Sequence, residues 1–63
     1  MHAAAQVPVG EIKTFGPLGP KYEVLRALHP IPNGDWLVRI CVVESGEEAD
    51  YQLSHILADP VAN

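Results

Sequence analysis

Trp36 to Val43 is apolar except for Arg39 and Glu48 to Leu53 alternates polar with apolar, the two strand-like runs being separated by Glu44-Ser45-Gly46-Glu47. Alternation of period two sends every second side chain to one face of a strand, and a glycine-containing break between two such runs folds them back as a hairpin. With Ser45 and Gly46 as a two-residue turn, Val42 faces Ala49, Ile40 faces Tyr51 and Val38 faces Leu53, so one face is wholly apolar. The other face pairs Val43 with Glu48, Cys41 with Asp50 and Arg39 with Gln52. A slip of one residue would exchange the two faces, so turn chemistry and side-chain pattern select the same separation.

The upstream chain extends this motif. Glu11-Ile12-Lys13-Thr14-Phe15 alternates as a short strand with Ile12 opposite to Lys13, and it stops at Gly16-Pro17-Leu18-Gly19-Pro20, where two Gly-Pro steps impose a turn. Residues 21–28 form a second strand, with Tyr22, Val24, Arg26 and Leu28 opposite to Glu23, Leu25 and Ala27. The prolines and Asn33-Gly34 step of residues 29–35 then return the chain antiparallel. Ser54 is placed to cap one helical turn through His55, Ile56 and Leu57, which Asp59-Pro60 ends because the residue before proline avoids helical geometry.

The expected fold is therefore mainly all-β: a four-stranded antiparallel meander curled toward a small SH3-like barrel, with a short C-terminal helical turn. Residues 1–9 read as a flexible arm and residues 10–63 as a single small β domain. Its core is expected to contain Ile12, Phe15, Tyr22, Val24, Leu28, Trp36, Val38, Ile40, Val42, Tyr51, Leu53 and Ile56 or Leu57. The edge formed by residues 11–15 is open to a second chain in this reading.

A chain of 63 residues buries little surface. Apolar burial contributes about 90 kcal/mol against about 95 kcal/mol of ordering entropy, so an isolated copy is marginal. The single cysteine, Cys41, cannot close an internal disulfide, and self-association is the cheap remaining support. The outer sheet face also carries Leu25, Ala27, Leu37, Cys41 and Val43, which a sheet with one buried face does not require. A homo-oligomer, most simply a two-fold dimer, is expected, with Trp36, Leu37, Arg39, Cys41 and Val43 as its contacts or as contacts to a larger protein partner.

The formal net charge is -4. Residues 32–63 hold Asp35, Glu44, Glu47, Glu48, Asp50 and Asp59 against Arg39 alone, which disfavours nucleic acid and anionic membranes as partners. An alternative nucleic-acid surface would use Lys13, Lys21 and Arg26. The acidic hairpin tip, Glu44, Glu47, Glu48 and Asp50, reads as a solvated turn, with a phosphate-mimicking inhibitor as the alternative. No apolar run reaches bilayer length and no signal-like start is present, so no membrane is expected and the cytoplasm is the expected compartment, in keeping with a lone thiol.

Reactive groups do not assemble into a recognisable site. His2, His29, His55, Cys41 and Asp59 carry ligating atoms but match no zinc spacing, so no metal or other cofactor is expected. Cys41 with His29 or His55 would be a nucleophile and base, yet a mid-strand cysteine is the usual small apolar filler, and no catalytic residues are expected. The Gly16-Pro17-Leu18-Gly19-Pro20 loop lacks the amides and succeeding helix of a phosphate cradle.

At Gly10-x-Ile12-Lys13-Thr14-Phe15-Gly16-Pro17-x-Gly19-Pro20-Lys21-Tyr22-x-Val24, Glu44-Ser45-Gly46-Glu47-Glu48, Tyr51-x-Leu53 and Asp59-Pro60, the chain resembles a family of short proteobacterial proteins of unknown function. The resemblance spans almost all of residues 10–60 and implies a fold but no enzyme. The strand-turn-strand ending followed by Leu53-Ser54 also resembles small SH3-like or Tudor-like barrels, which bind peptides, modified residues or nucleic acids through aromatic side chains near loop ends. Here Trp36, Tyr22, Tyr51 and Phe15 are the aromatic residues such a site would have. Together these readings lead to a non-enzymatic, self-associating protein-interaction module or small accessory or regulatory subunit.

Overall fold

The structure is a computed structural model that describes residues 6–62. Four strands, β1 (Ile12–Thr14), β2 (Lys21–Pro30), β3 (Trp36–Val42) and β4 (Glu48–Gln52), form one antiparallel sheet in the order β1-β2-β3-β4, and a helix, α1 (Leu53–Ala58), comes directly after β4. The expected meander and C-terminal helix are present, and the sheet remains open. Of the arm expected over residues 1–9, residues 1–5 lie outside the described residues, while Val7 is buried with Tyr22, Val24, Val38, Ile40, Leu53 and Ile56 in the core. Phe15, Ala27, Trp36 and Tyr51 pack around them.

The β3–β4 hairpin keeps its expected faces but not its expected register. Val38 pairs with Tyr51, Ile40 with Ala49, Arg39 with Asp50 and Cys41 with Glu48, a shift of two residues. Five residues, 43–47, join the strands, and the turn is closed by Val42 N donating to Glu47 O and Gly46 N donating to Val42 O. Gly46 takes the positive φ of 76° on which this closure turns. Since side chains alternate with period two, an even shift preserves inside and outside, which is why the pattern could not reveal it.

In β2 the alternation is broken twice. The partners run Val24 to Ile40, then Arg26 to Arg39 and Ala27 to Val38, then His29 to Leu37 and Pro30 to Trp36, with irregularities that leave Leu25 and Leu28 as extra residues. Each β-bulge reverses the phase of the residues after it. Arg26 therefore points outward and is exposed, Ala27 turns inward against Val38, and Leu28 is only half-buried, correcting the expected placement of all three. The turn into β3 centres on Pro32 and Asn33, with Gly34 N donating to Ile31 O and Gly34 at φ 88°.

β1 is inverted with respect to its expected faces. Lys13 pairs with the inward-facing Tyr22 and is only 6% exposed, whereas Ile12 lies opposite Glu23 on the outer side and is half-buried. The free edge of β1 is not available to another chain along its length: Thr14 N donates to Pro60 O, Ala62 N donates to Ile12 O, and Val61 bridges Lys13. The chain thus returns from β4 through α1 to the far edge of its own sheet. Within α1, Leu53 and Ile56 are buried and Leu57 is exposed, so Ile56 is the core residue of the expected pair.

Candidate functional site

The outer sheet face reads as rows across the strands. Ile12, Glu23, Cys41 and Glu48 form one row, Arg26, Arg39 and Asp50 the next, and His29, Leu37 and Gln52 another. Arg26 and Arg39 are directly opposite, an unfavourable like-charge pair, and two acids on β4 offset it. Arg39 Nε donates to Asp50 Oδ1 at 2.8 Å and its Nη1 to Glu48 Oε1 at 3.3 Å, and these bonds, Asp50 first, hold the guanidinium pKa above its usual value. Leu37, Arg39 and Cys41 of the expected contact set share this face and are half-buried. Trp36 packs on the opposite side against the core, and Val43 lies in the hairpin loop, so the five residues do not form one patch.

The acidic tip divides as well. Glu44 and Glu47 are exposed at the loop, with Ser45 Oγ accepting from Glu47 N, while Glu48 and Asp50 are strand residues engaged by Arg39. The basic set Lys13, Lys21 and Arg26 is also split: Lys13 is buried, Lys21 lies at the start of β2 and Arg26 is on the outer face. Cys41 is on the outer face, whereas His55 rests its ring 5.4 Å from that of the inward-facing Tyr51, so these two reactive groups lie on opposite sides of the sheet. His29 is at the far end of β2 with Nδ1 against Pro30 O, and His2 lies outside the described residues. Among the described residues no group of His, Cys, Asp and Glu is gathered closely enough to hold a metal ion, and no helix is long and apolar enough to cross a membrane.

The densest polar constellation is one that spacing did not reveal. Asp59, extended at the C-cap of α1, accepts from Tyr22 Oη at 2.7 Å and Tyr51 Oη at 3.1 Å through Oδ2, and from Gly16 N at 3.2 Å through Oδ1. Beside it, the Lys13 ammonium donates to Ile56 O at 2.6 Å, which also accepts from Asp59 N, and to Asp59 O at 3.2 Å at the helix end. Tyr22 and Tyr51 form an aromatic cluster with Phe15, their ring centroids 4.4 to 5.6 Å apart in tilted and edge-on contacts. The only local sign of this cluster is Asp59-Pro60, which reads simply as a helix stop.

Its chemistry is that of a clamp. Burial first, and then donation to Asp59, raise the pKa of Tyr22 strongly and that of Tyr51 to a lesser degree, so both phenols keep their protons. An unfolded phenol ionises near pH 10, so these contacts stabilise the fold fully below about pH 10 and lose that contribution as pH climbs toward the raised folded values. The melting temperature is expected to fall between about pH 10 and 12, and Tyr22→Phe to flatten that fall. Thermal melts monitored by circular dichroism across this range check it, and an equal slope in wild type and variant contradicts it.

A second geometric feature lies at the opposite ends of β2 and β3 from the Pro32 turn. Val43 N donates to Lys21 O, bringing the β3–β4 loop beside the β1–β2 loop. Between them runs an open groove of about 370 Å³ lined by Gly19, Pro20, Lys21, Val43 and Glu44. Next to it Leu18 is 97% exposed and Val43 is 52% exposed.

The architecture so described is that of a small antiparallel β domain closed off by a C-terminal helix. Residues 1–63 match the model of a family of unknown function, DUF5397. The chain is also 45% identical over 62 residues to a Haemophilus influenzae protein described as uncharacterized, the match covering 98% of each. The chain belongs to this family, in agreement with the resemblance seen in its Gly-Pro loop and hairpin tip.

Proposed function

We propose that the protein is a non-enzymatic, cytoplasmic protein-interaction module that self-associates and serves as an accessory subunit of a larger protein partner. The observation that carries this reading is the outer sheet face. Helix α1 covers one side of the sheet, while on the other Ile12, Cys41 and Leu37 lie half-buried on either side of the Arg26, Arg39 and Asp50 row, giving a partner both apolar area and directional contacts. Of the two histidines considered as a base for Cys41, His55 lies across the sheet, and His29 shares the outer face but stands two rows away with Nδ1 against Pro30 O, which supports a binding role over nucleophilic chemistry. The dispersal of Lys13, Lys21 and Arg26 likewise supports a protein partner over a polynucleotide.

The test is a capture experiment from bacterial cytosol with wild-type protein, the outer-face variant Leu37→Asp and the control Leu57→Asp on exposed α1. A partner retained by wild type and Leu57→Asp, but weakened about tenfold or more by Leu37→Asp at unchanged circular dichroism, is expected. Capture that is indifferent to Leu37→Asp overturns the assignment of this face.

A further inference from the structure

We infer that the loop end of the sheet is a self-complementary docking surface on which two copies of this chain pair, the Leu18 side chain of each entering the groove of the other. This inference deepens the self-association in the proposed function by assigning it a surface distinct from the outer sheet face.

Leu18 is an apolar knob held in water by a stiff loop. Phe15 N donates to Pro20 O across the base of the loop, Thr14 Oγ1 donates to Gly16 O, and Gly16 N is tied to the Asp59 carboxylate. Gly16 takes a φ of 68°, and Gly19 sits so close to Phe15 that an added Cβ would lie 2.8 Å from the Phe15 carbonyl carbon. Two Gly-Pro steps stiffen what remains. A leucine on such a support loses little conformational freedom on docking, which is how a small contact gains affinity.

The groove that receives it lies beside the knob on the same surface. Pro20 and Val43 give it apolar walls, and Lys21 and Glu44 give it charges of opposite sign. Among the described residues neither Lys21 nor Glu44 has an ion-pair partner. A two-fold axis makes one patch meet itself, so a knob beside a hole is satisfied twice, and Lys21 of one copy can face Glu44 of the other. That pairing covers Leu18 and Val43, both large apolar side chains exposed on the surface.

Light scattering on the full chain from micromolar to millimolar concentration tests the inference with five proteins: wild type, Leu18→Asp, Leu37→Asp, Lys21→Glu and the double variant Lys21→Glu/Glu44→Lys. Wild type is expected to dimerise, and Leu18→Asp to weaken the dimer about a hundredfold because the axis counts each substitution twice. Leu18 makes no buried contact, so its replacement leaves the circular dichroism spectrum intact. Lys21→Glu weakens the dimer, and the double variant restores it. A dimer indifferent to Leu18→Asp and lost in Leu37→Asp overturns this surface while leaving self-association standing. A wild-type monomer at every concentration overturns both, and failure of the double variant to recover overturns the ion pair and the two-fold arrangement built on it.

Discussion

Replacing Asp59 with alanine is expected to destabilise the fold by about 3–5 kcal/mol, a large share of what a domain this small possesses. The side chain accepts three hydrogen bonds from three parts of the chain: Tyr22 on β2, Tyr51 on β4 and Gly16 in the β1–β2 loop. Bonds to a carboxylate contribute about 1.5–3 kcal/mol each, and a buried donor left without its acceptor costs about 1–3 kcal/mol. Tyr22 is fully buried, so no water replaces the lost acceptor, whereas the half-buried Tyr51 is the cheaper loss. The same substitution loosens the route by which residues 60–62 reach the edge of β1. Chemical denaturation followed by tryptophan fluorescence measures the effect. Tyr22→Phe and Tyr51→Phe should each account for part of it, and a shift below about 1 kcal/mol for Asp59→Ala contradicts the clamp.

The second large effect is expected at Asp35. Only 8% exposed, it accepts from Trp36 N at 2.8 Å and Ser54 N at 3.1 Å through Oδ1, and from Ser54 Oγ at 2.5 Å through Oδ2. Gln52, at the N-cap position of α1, makes no side-chain cap, so the turn between β2 and β3 caps a helix that begins 18 residues later, at Leu53 against Asp35. Asp35→Ala removes the cap and orphans a β3 amide in one step, with an expected loss of about 2–4 kcal/mol. Asp35→Asn keeps the acceptor oxygen and is expected to cost about 1 kcal/mol. Hydrogen exchange separates this from general weakening: the amides of Ser54, His55 and Ile56 should exchange faster in Asp35→Ala than the Val38 and Ile40 amides. Uniform acceleration of all five contradicts a helix-specific role.

Both aspartates show where residue patterns lose their reach. Asp59 is legible as a helix stop through Pro60, and Asp35 as a turn residue after Asn33-Gly34, but neither reading contains the acceptor role. Ser54 illustrates the same point from the other side. It has the chemistry of a local cap, yet the helix starts one residue before it, at Leu53, and its hydroxyl and amide turn to Asp35 instead. Lys13 is the sharpest case: in an alternating segment it reads as the solvent residue, while the structure buries it because the carbonyls at the end of α1 and the aromatic cluster lie on that side.

The amino-acid order by itself determines the set of strands, their antiparallel succession, the turns at Gly34 and Gly46, and which residues of β3 and β4 share a face. These features come from period-two alternation and from glycine and proline geometry, which act within a few neighbouring residues. Only the tertiary structure decided the two bulges of β2, the inward face of Lys13, the occupation of the β1 edge by residues 60–62, and the partners of Asp35 and Asp59. Those features satisfy buried donors and acceptors across distant parts of the chain, and such pairing is set by where the folded backbone brings polar groups together, a quantity with no period to read.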